Sequence, residues 1–151
     1  MVYRPKISFR VQQQIRERAM YLCEYCHTSE QWQYVRFTAD HIIPLSRGGA
    51  DVFDNLCLAC FHCNRRKGNH IKGIDIFSGE EVPLFHPRKE LWKNHFVWSA
   101  DKLRVIGLTS TGRATAEVLE LNRDRAVRIR AADMAVGRHP PTDDPVQMSE
   151  P

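Results

Sequence analysis

Long apolar runs are missing from this sequence, and so is any stretch typical of a secretory signal. No run approaches the roughly 20 residues of a membrane-spanning helix. Residues 1–11 carry charged and polar side chains rather than an apolar segment. We therefore expect neither a membrane protein nor an exported one, but a cytoplasmic protein. At 151 residues the chain has the length of one domain and can bury a core without disulfides.

Cysteines are odd in number, which argues against a complete set of disulfides. Four of the five form two C-x-x-C pairs, Cys23 with Cys26 and Cys60 with Cys63. Without a signal peptide this pattern indicates a metal site, although four unrelated buried cysteines are the alternative. Two such turns supply the four ligands of a structural Zn²⁺ and leave no open coordination position. We expect Cys57, the fifth cysteine, to be buried on a strand.

Acidic side chains are outnumbered by basic ones outside the C-terminal tail. Residues 1–138 hold 22 Lys and Arg against 15 Asp and Glu, a net charge of +7, whereas the whole chain carries +4. A basic excess of this size favours a polyanionic partner such as nucleic acid, although many basic proteins bind none. Residues 139–151 are rich in proline and almost free of apolar side chains, so we expect a disordered tail.

The residue pattern predicts short helices and strands around the cysteine pairs. Apolar residues at helical spacing predict a helix over residues 11–22, with Ser8 as its candidate cap, and this helix delivers the chain to the first pair. An alternating segment predicts a strand over residues 34–41, and the apolar run 56–59 predicts a second strand. Pro44 and a glycine pair force a loop between them, and residues 60–67 favour a short helix. The middle of the chain is thus predicted to be strand, loop, strand, helix.

The second half of the chain is less distinctive. Its pattern predicts a turn at residues 77–80, a helix over 87–92, a hairpin of 95–98 with 103–106, an amphipathic helix after Gly112, and an arginine-rich helix over 123–130.

The segment between the two cysteine pairs carries residues that suit phosphodiester hydrolysis. In order they are Asp40-His41-Ile42-Ile43-Pro44, Gly48-Gly49, Asp54-Asn55-Leu56 and Cys63-Asn64-x-x-Lys67. A neutral imidazole accepts a proton from water near neutral pH, and carboxylate and amide oxygens are ligands that Mg²⁺ or Mn²⁺ prefers. Each residue alone has an ordinary explanation as a cap or turn residue. Their combination between two cysteine pairs indicates a site that binds a divalent metal and activates water.

This run resembles the motif of the HNH endonuclease family, also called the ββα-metal nucleases, and the chain is similar to its small stand-alone bacterial members. The resemblance implies an α+β fold. A zinc-stabilised, treble-clef-like ββα core would occupy residues 23–68, after an N-terminal helix and before a C-terminal α/β extension at 69–138. We expect residues 1–138 to form one nuclease domain. Asn64 stands where many members have His, which is a common variant.

The resemblance also implies a role for each motif residue in metal-dependent hydrolysis of DNA. His41 would be the general base, and Asp40 and Asn64 would hold a catalytic Mg²⁺ or Mn²⁺. Asn55 would fix the loop that orients His41. Independently of the resemblance, a basic cluster lies on the motif helix: Arg65, Arg66 and Lys67. A solvated face is the ordinary explanation, but the closeness of the cluster to Asn64 favours contact with phosphates.

A non-catalytic alternative stays open at this level. A zinc-stabilised protein that binds nucleic acid without cutting it would account for the cysteines and for the basic charge. It gives no reason for an Asp-His pair before one loop and an Asn after the next, and this favours the enzyme. The sequence does not distinguish DNA from RNA, and it indicates no membrane partner and no oligomeric state.

Overall fold

The computed structural model describes residues 7–142, and its first element is helix α1, Phe9–Arg18. The helix begins at Ser8, whose Oγ accepts a hydrogen bond from the amide of Val11 at 3.2 Å. It buries Ile15 completely against the core. The predicted cap and helix are confirmed, but the helix ends at Arg18, before residue 22.

A two-stranded antiparallel hairpin forms the centre of the motif region. Strand β1 is Thr38–His41 and strand β2 is Leu56–Ala59, and their register places Asp40 opposite Cys57. The second strand is confirmed, whereas the first begins four residues later than predicted. The backbone just before β1 is hydrogen-bonded to side chains and not to a neighbouring strand. The amide of Phe37 donates to the Glu30 carboxylate at 2.7 Å, and the carbonyl of Phe37 accepts from Arg16 at 2.9 Å.

Helix α2, Phe61–Lys67, follows β2 directly and completes a ββα arrangement. Its N-cap is Cys60, whose Sγ accepts from the amide of Cys63 at 3.4 Å. The helix ends at Gly68, which has a positive φ of 49° that an L side chain rarely adopts. The predicted order of strand, loop, strand and helix is therefore confirmed.

The downstream segment adds two further hairpins and three helices. They are β3, Lys72–Ile74; β4, Glu81–Pro83; α3, Trp92–His95; β5, Phe96–Trp98; β6, Val105–Gly107; α4, Ser110–Val118; and α5, Asp124–Ala135. The predicted hairpin and the last two helices are confirmed. The helix expected over 87–92 is wrong, because only one turn closes there: the carbonyl of His86 accepts from the amides of Lys89 and Glu90, and the next helix begins at Trp92.

One cluster of buried side chains joins the motif region to the downstream segment. It includes Ile15 and Leu58 from the first and Phe85, Phe96 and Leu119 from the second. The architecture is thus α+β, with an N-terminal helix, a ββα core and a C-terminal α/β extension, as predicted. That residues 1–138 form one domain stays a prediction.

Only the first residues of the predicted tail are described. Nε2–H of His139 donates a hydrogen bond to the carbonyl of Lys102 at 2.6 Å, and the His139 ring contacts Trp98 edge-on. Residues 143–151, where the rest of the predicted disorder falls, lie outside the described residues. Within residues 7–142, no helix has the length and apolar character needed to cross a membrane.

Candidate functional site

The two C-x-x-C turns bring four thiols together. In the first turn, the amide of Cys26 donates to Sγ of Cys23 at 3.5 Å, and the amide of His27 donates to the carbonyl of Cys23 at 2.8 Å. The second turn begins where β2 ends and continues into α2, so strand and helix fix Cys60 and Cys63. All four Sγ atoms lie within 4.8 Å of one another. We call this the cysteine cluster.

The cysteine cluster fits a tetrahedral zinc ion. Zn–S bonds of about 2.3 Å give sulfur–sulfur edges of about 3.8 Å, and Sγ of Cys26 lies 3.8 Å from Sγ of Cys60. Hydrogen bonds from the other three thiols lower the pKa of Cys26 well below its usual value, whereas burial raises the pKa of Cys23 and hydrogen bonds with the neighbouring thiols raise the pKa of Cys63. With four protein ligands the site has the composition of a structural zinc site. Cys57 is buried outside it, as predicted, and its Sγ lies 3.6 Å from the hydroxyl of Tyr25.

Asp40 lies near the end of β1 in a buried setting. Nζ of Lys67 is 3.1 Å from Oδ2 of Asp40 and donates to the carbonyl of His41 at 3.1 Å. Burial raises the pKa of the Asp40 carboxyl, and the Lys67 ammonium opposes that rise. Although Lys67 neutralises its charge, Oδ2 of Asp40 has no aligned hydrogen bond among the described residues. It is a buried oxygen with unused acceptor capacity.

His41 ends β1 and contacts a carboxylate that the sequence pattern does not single out. Its Nε2 lies 2.8 Å from Oδ1 of Asp51, in the loop between the two strands. The imidazole is about one-fifth exposed, so solvent reaches it. A carboxylate on one ring nitrogen fixes the tautomer and leaves the other nitrogen as a proton acceptor.

Asn55 holds the loop between β1 and β2 in shape. Its Oδ1 accepts from the amide of Ile43 at 2.9 Å, and its Nδ2 donates to the carbonyls of Ile43 and Ala50 at 2.9 and 2.8 Å. Gly49 allows this closure, because a Cβ there would lie 1.8 Å from the carbonyl oxygen of Ile43. The contacts suit the loop-fixing role expected of Asn55, since His41 immediately precedes this loop.

Asn64 lies in the middle of α2, one turn before Lys67. Because Lys67 contacts β1, the same helix face is directed toward Asp40 and His41. No hydrogen bond of the Asn64 side chain is found within residues 7–142, and none joins it to Asp40. Its amide oxygen is therefore not engaged by the protein. We call Asp40, His41 and Asn64 the motif triad.

The three residues of the expected basic cluster lie in different environments. Lys67 is only 2% exposed and lies inside the protein, so it does not belong to a surface cluster. Arg66 is exposed but pairs with Glu120 at 3.3 Å. Arg65 is exposed and has no ion pair among the described residues. The sequence alone shows the charges of these three residues, but their directions depend on how α2 packs.

Comparison with known proteins supports the motif region. Residues 22–70 match the family model described as HNH endonuclease, which covers about a third of the chain. No curated protein and no solved structure gives a significant match. Residues 22–70 therefore match an HNH endonuclease domain on the ββα core described above, and their four-cysteine cluster has the composition of a zinc site. The resemblance seen in the sequence is confirmed over this range.

Proposed function

We propose that the protein is a metal-dependent endonuclease that hydrolyses phosphodiester bonds in DNA. The observation that carries the proposal is the position of Asp40 and His41 at the end of β1, where Lys67 binds Asp40 and the His41 carbonyl from the helix that also carries Asn64, inside a region that matches the HNH endonuclease family. The match supports nuclease function in general, and the roles of individual residues below are our proposals.

Asp40 and Asn64 would hold the catalytic divalent cation. Their oxygen atoms are the hard ligands that Mg²⁺ and Mn²⁺ favour. The unused acceptor capacity of Asp40 Oδ2 and the free Asn64 amide suit this use. When bound, such an ion stabilises negative charge on the phosphate and on the departing oxygen. Lys67 sets the charge of Asp40 before any ligand arrives, and it ties the helix that carries Asn64 to the strand that carries Asp40.

His41 would act as the general base. Asp51 accepts a hydrogen bond from Nε2–H, which leaves Nδ1 unprotonated and able to take a proton from the attacking water. Asn55 keeps the loop that carries Asp51 closed through Ala50 and Ile43. A general base of this kind contributes about 10²–10⁴-fold to the rate.

A plasmid assay tests this function. Supercoiled plasmid is incubated with wild type or with His41→Ala, in Mg²⁺, in Mn²⁺, or without added divalent metal. We expect wild type to nick and then linearise the plasmid only with metal, and His41→Ala to lose about 10²–10⁴-fold in rate at every metal concentration. Zinc content and DNA affinity should match wild type in the variant. Equal cleavage by both proteins would show that His41 is not the base.

A non-catalytic nucleic-acid-binding protein is the second candidate, and the Asp40–Lys67 ion pair favours it. A carboxylate already neutralised by a buried lysine has a structural explanation that needs no metal. This candidate predicts that wild type binds the plasmid but leaves it intact in both metals, so the same assay separates the two functions.

A further inference from the structure

A basic groove borders the start of α2, the helix that also carries Asn64. It has a volume of about 520 Å³ and runs between the loop after the first cysteine turn, the start of α2, and α5 with the residues that follow it. Four arginines line it: Arg65, Arg123, Arg125 and Arg138. None of the four has a carboxylate partner among residues 7–142. We call it the arginine groove.

The charge of the arginine groove is directed outward. Arg130 also lines it, but its guanidinium donates to the carbonyls of Leu103 and Leu121 at 2.9 and 2.7 Å and so serves the fold. Within the described part of the chain, the other four guanidinium groups make no such backbone bonds. Asp133 is the only acidic side chain among the described residues that line the groove. Unpaired arginines that face one groove attract a polyanion, and their planar forks match phosphate oxygens.

Exposed aromatic rings lie among these arginines. Tyr34 is fully exposed and Phe61 is 63% exposed, and both line the arginine groove. The guanidinium of Arg138 lies 4.2 Å from the centre of the Trp32 ring, and the stacked pair forms a flat, positively charged face. Positive charge interleaved with flat faces is typical of surfaces that hold a nucleic-acid strand.

Helix α2 connects the arginine groove to the motif triad. Phe61 and Arg65 are four residues apart and share the helix face that borders the groove. Asn64 is about 60° around the axis from Phe61 and about 100° from Arg65. A strand lying in the groove therefore reaches Asn64 by crossing about a quarter of a turn of helix surface.

We infer that the arginine groove binds the sugar-phosphate backbone of DNA next to the phosphate that is cleaved. The inference rests on the proposed nuclease function for the position of that phosphate, but binding in the groove needs no cleavage. It replaces the surface cluster of Arg65, Arg66 and Lys67 expected from the sequence with a different set of contacts, of which only Arg65 is shared.

Matched double variants test the groove. Arg123→Gln with Arg125→Gln removes two groove charges, and Arg104→Gln with Arg128→Gln removes two exposed charges elsewhere, with Arg128 on the same helix. Binding of a fluorescein-labelled 20-base-pair DNA duplex is followed by anisotropy over a NaCl series, without added divalent metal. We expect the slope of log K against log salt to fall by about 2 in the groove variant and to stay at the wild-type value in the control variant.

Three outcomes would overturn the inference. Equal slopes in the two variants would mean that only net charge matters. A groove variant that binds like wild type would place the phosphate contacts elsewhere. A groove variant with changed sedimentation and unchanged DNA binding would show that the groove holds a second copy of the chain. Zinc content and Tm verify folding. Plasmid cleavage is scored separately, so groove-dependent binding without cleavage would overturn the nuclease function and leave this inference standing.

Discussion

The cysteine cluster and the motif triad both lie on or beside the β1–β2 hairpin and α2, yet their side chains have different contacts. In the cluster, four thiols lie within 4.8 Å and face one another. In the triad, Asp40 faces Lys67 and His41 faces Asp51, so protein partners already hold both groups. We expect the cluster, which is closed, to serve folding, and under the proposed function the triad, which is partly open, to serve chemistry. Loss of the first should therefore affect stability, and loss of the second should affect rate.

The largest effect is expected from the cysteine cluster. Cys60→Ala removes one ligand, and structural zinc contributes roughly 10–16 kcal/mol in small domains, as much as a whole domain's stability. We expect this variant to lose zinc and to be unfolded in circular dichroism. Cys57→Ala is the matched control, because Cys57 is equally buried but lies outside the cluster. It should keep its zinc and lose only about 1 kcal/mol. Similar melting of the two variants would contradict a structural zinc site.

Lys67→Met should have the next largest effect, on stability. It leaves the Asp40 carboxylate buried without its counterion, and breaking a buried pair costs about 3–5 kcal/mol. Lys72→Met is the control, because its pair with Glu81 is exposed at 4.0 Å and contributes at most about 1 kcal/mol. Urea unfolding of both variants measures the difference. Equal losses would show that the Asp40–Lys67 pair does not stabilise the hairpin against α2.

Asp51→Asn should affect the rate and not the fold. The amide holds the His41 ring more weakly than the carboxylate, so we expect kcat to fall roughly 10-fold, about 1.4 kcal/mol, with KM and Tm unchanged. Asp51→Glu should restore part of the rate. Asp54→Asn, in the same loop but without a contact to His41, should behave as wild type. A rise in KM at constant kcat would assign Asp51 to substrate binding instead of to His41.

The smallest effect is expected far from both sites, at Asp75 in the β3–β4 turn. Arg113 donates to both carboxylate oxygens at 2.8 and 3.0 Å and, as the main cause, holds the Asp75 pKa well below its usual 3.8. The stabilisation is therefore fully present above about pH 4 and is lost as the pH falls below 3.8. The Tm difference between wild type and Asp75→Asn should shrink over that range. Arg113→Gln should abolish the same pH dependence, and a constant difference would contradict it.

Much of the motif region follows from short-range pattern. The cysteine pairs, the strand at residues 56–59, and the helix that Gly68 ends all depend on neighbours a few residues apart, and the structure agrees with them. The same holds for the cap at Ser8. Such features are set by spacing and backbone preference, which a single sequence displays.

The remaining features depend on contacts between distant residues. Lys67 is one of three consecutive basic residues, and only the packing of α2 on β1 separates it from Arg65 and Arg66. Asp51 pairs with His41 because the intervening loop closes through Asn55. The strand predicted from residue 34 begins at residue 38, because Glu30 and Arg16 hold the backbone of Phe37. Alternating apolar and polar residues do not show whether the backbone at those positions is hydrogen-bonded to another strand or to side chains.

The residues inside the two C-x-x-C turns also connect the motif region to the rest of the chain. The carbonyl of Tyr25 accepts a hydrogen bond from Nε1 of Trp92 at 2.9 Å, and Nε2 of His62 lies 2.8 Å from the carbonyl of Leu119. One of the two middle residues of each C-x-x-C turn is thus hydrogen-bonded to a residue beyond residue 70. The end of the family match at residue 70 is therefore not a structural boundary. A fragment that ended there would lack Trp92 and Leu119, so both hydrogen bonds would be lost and the C-x-x-C turns would lose the contacts that fix their outer surfaces.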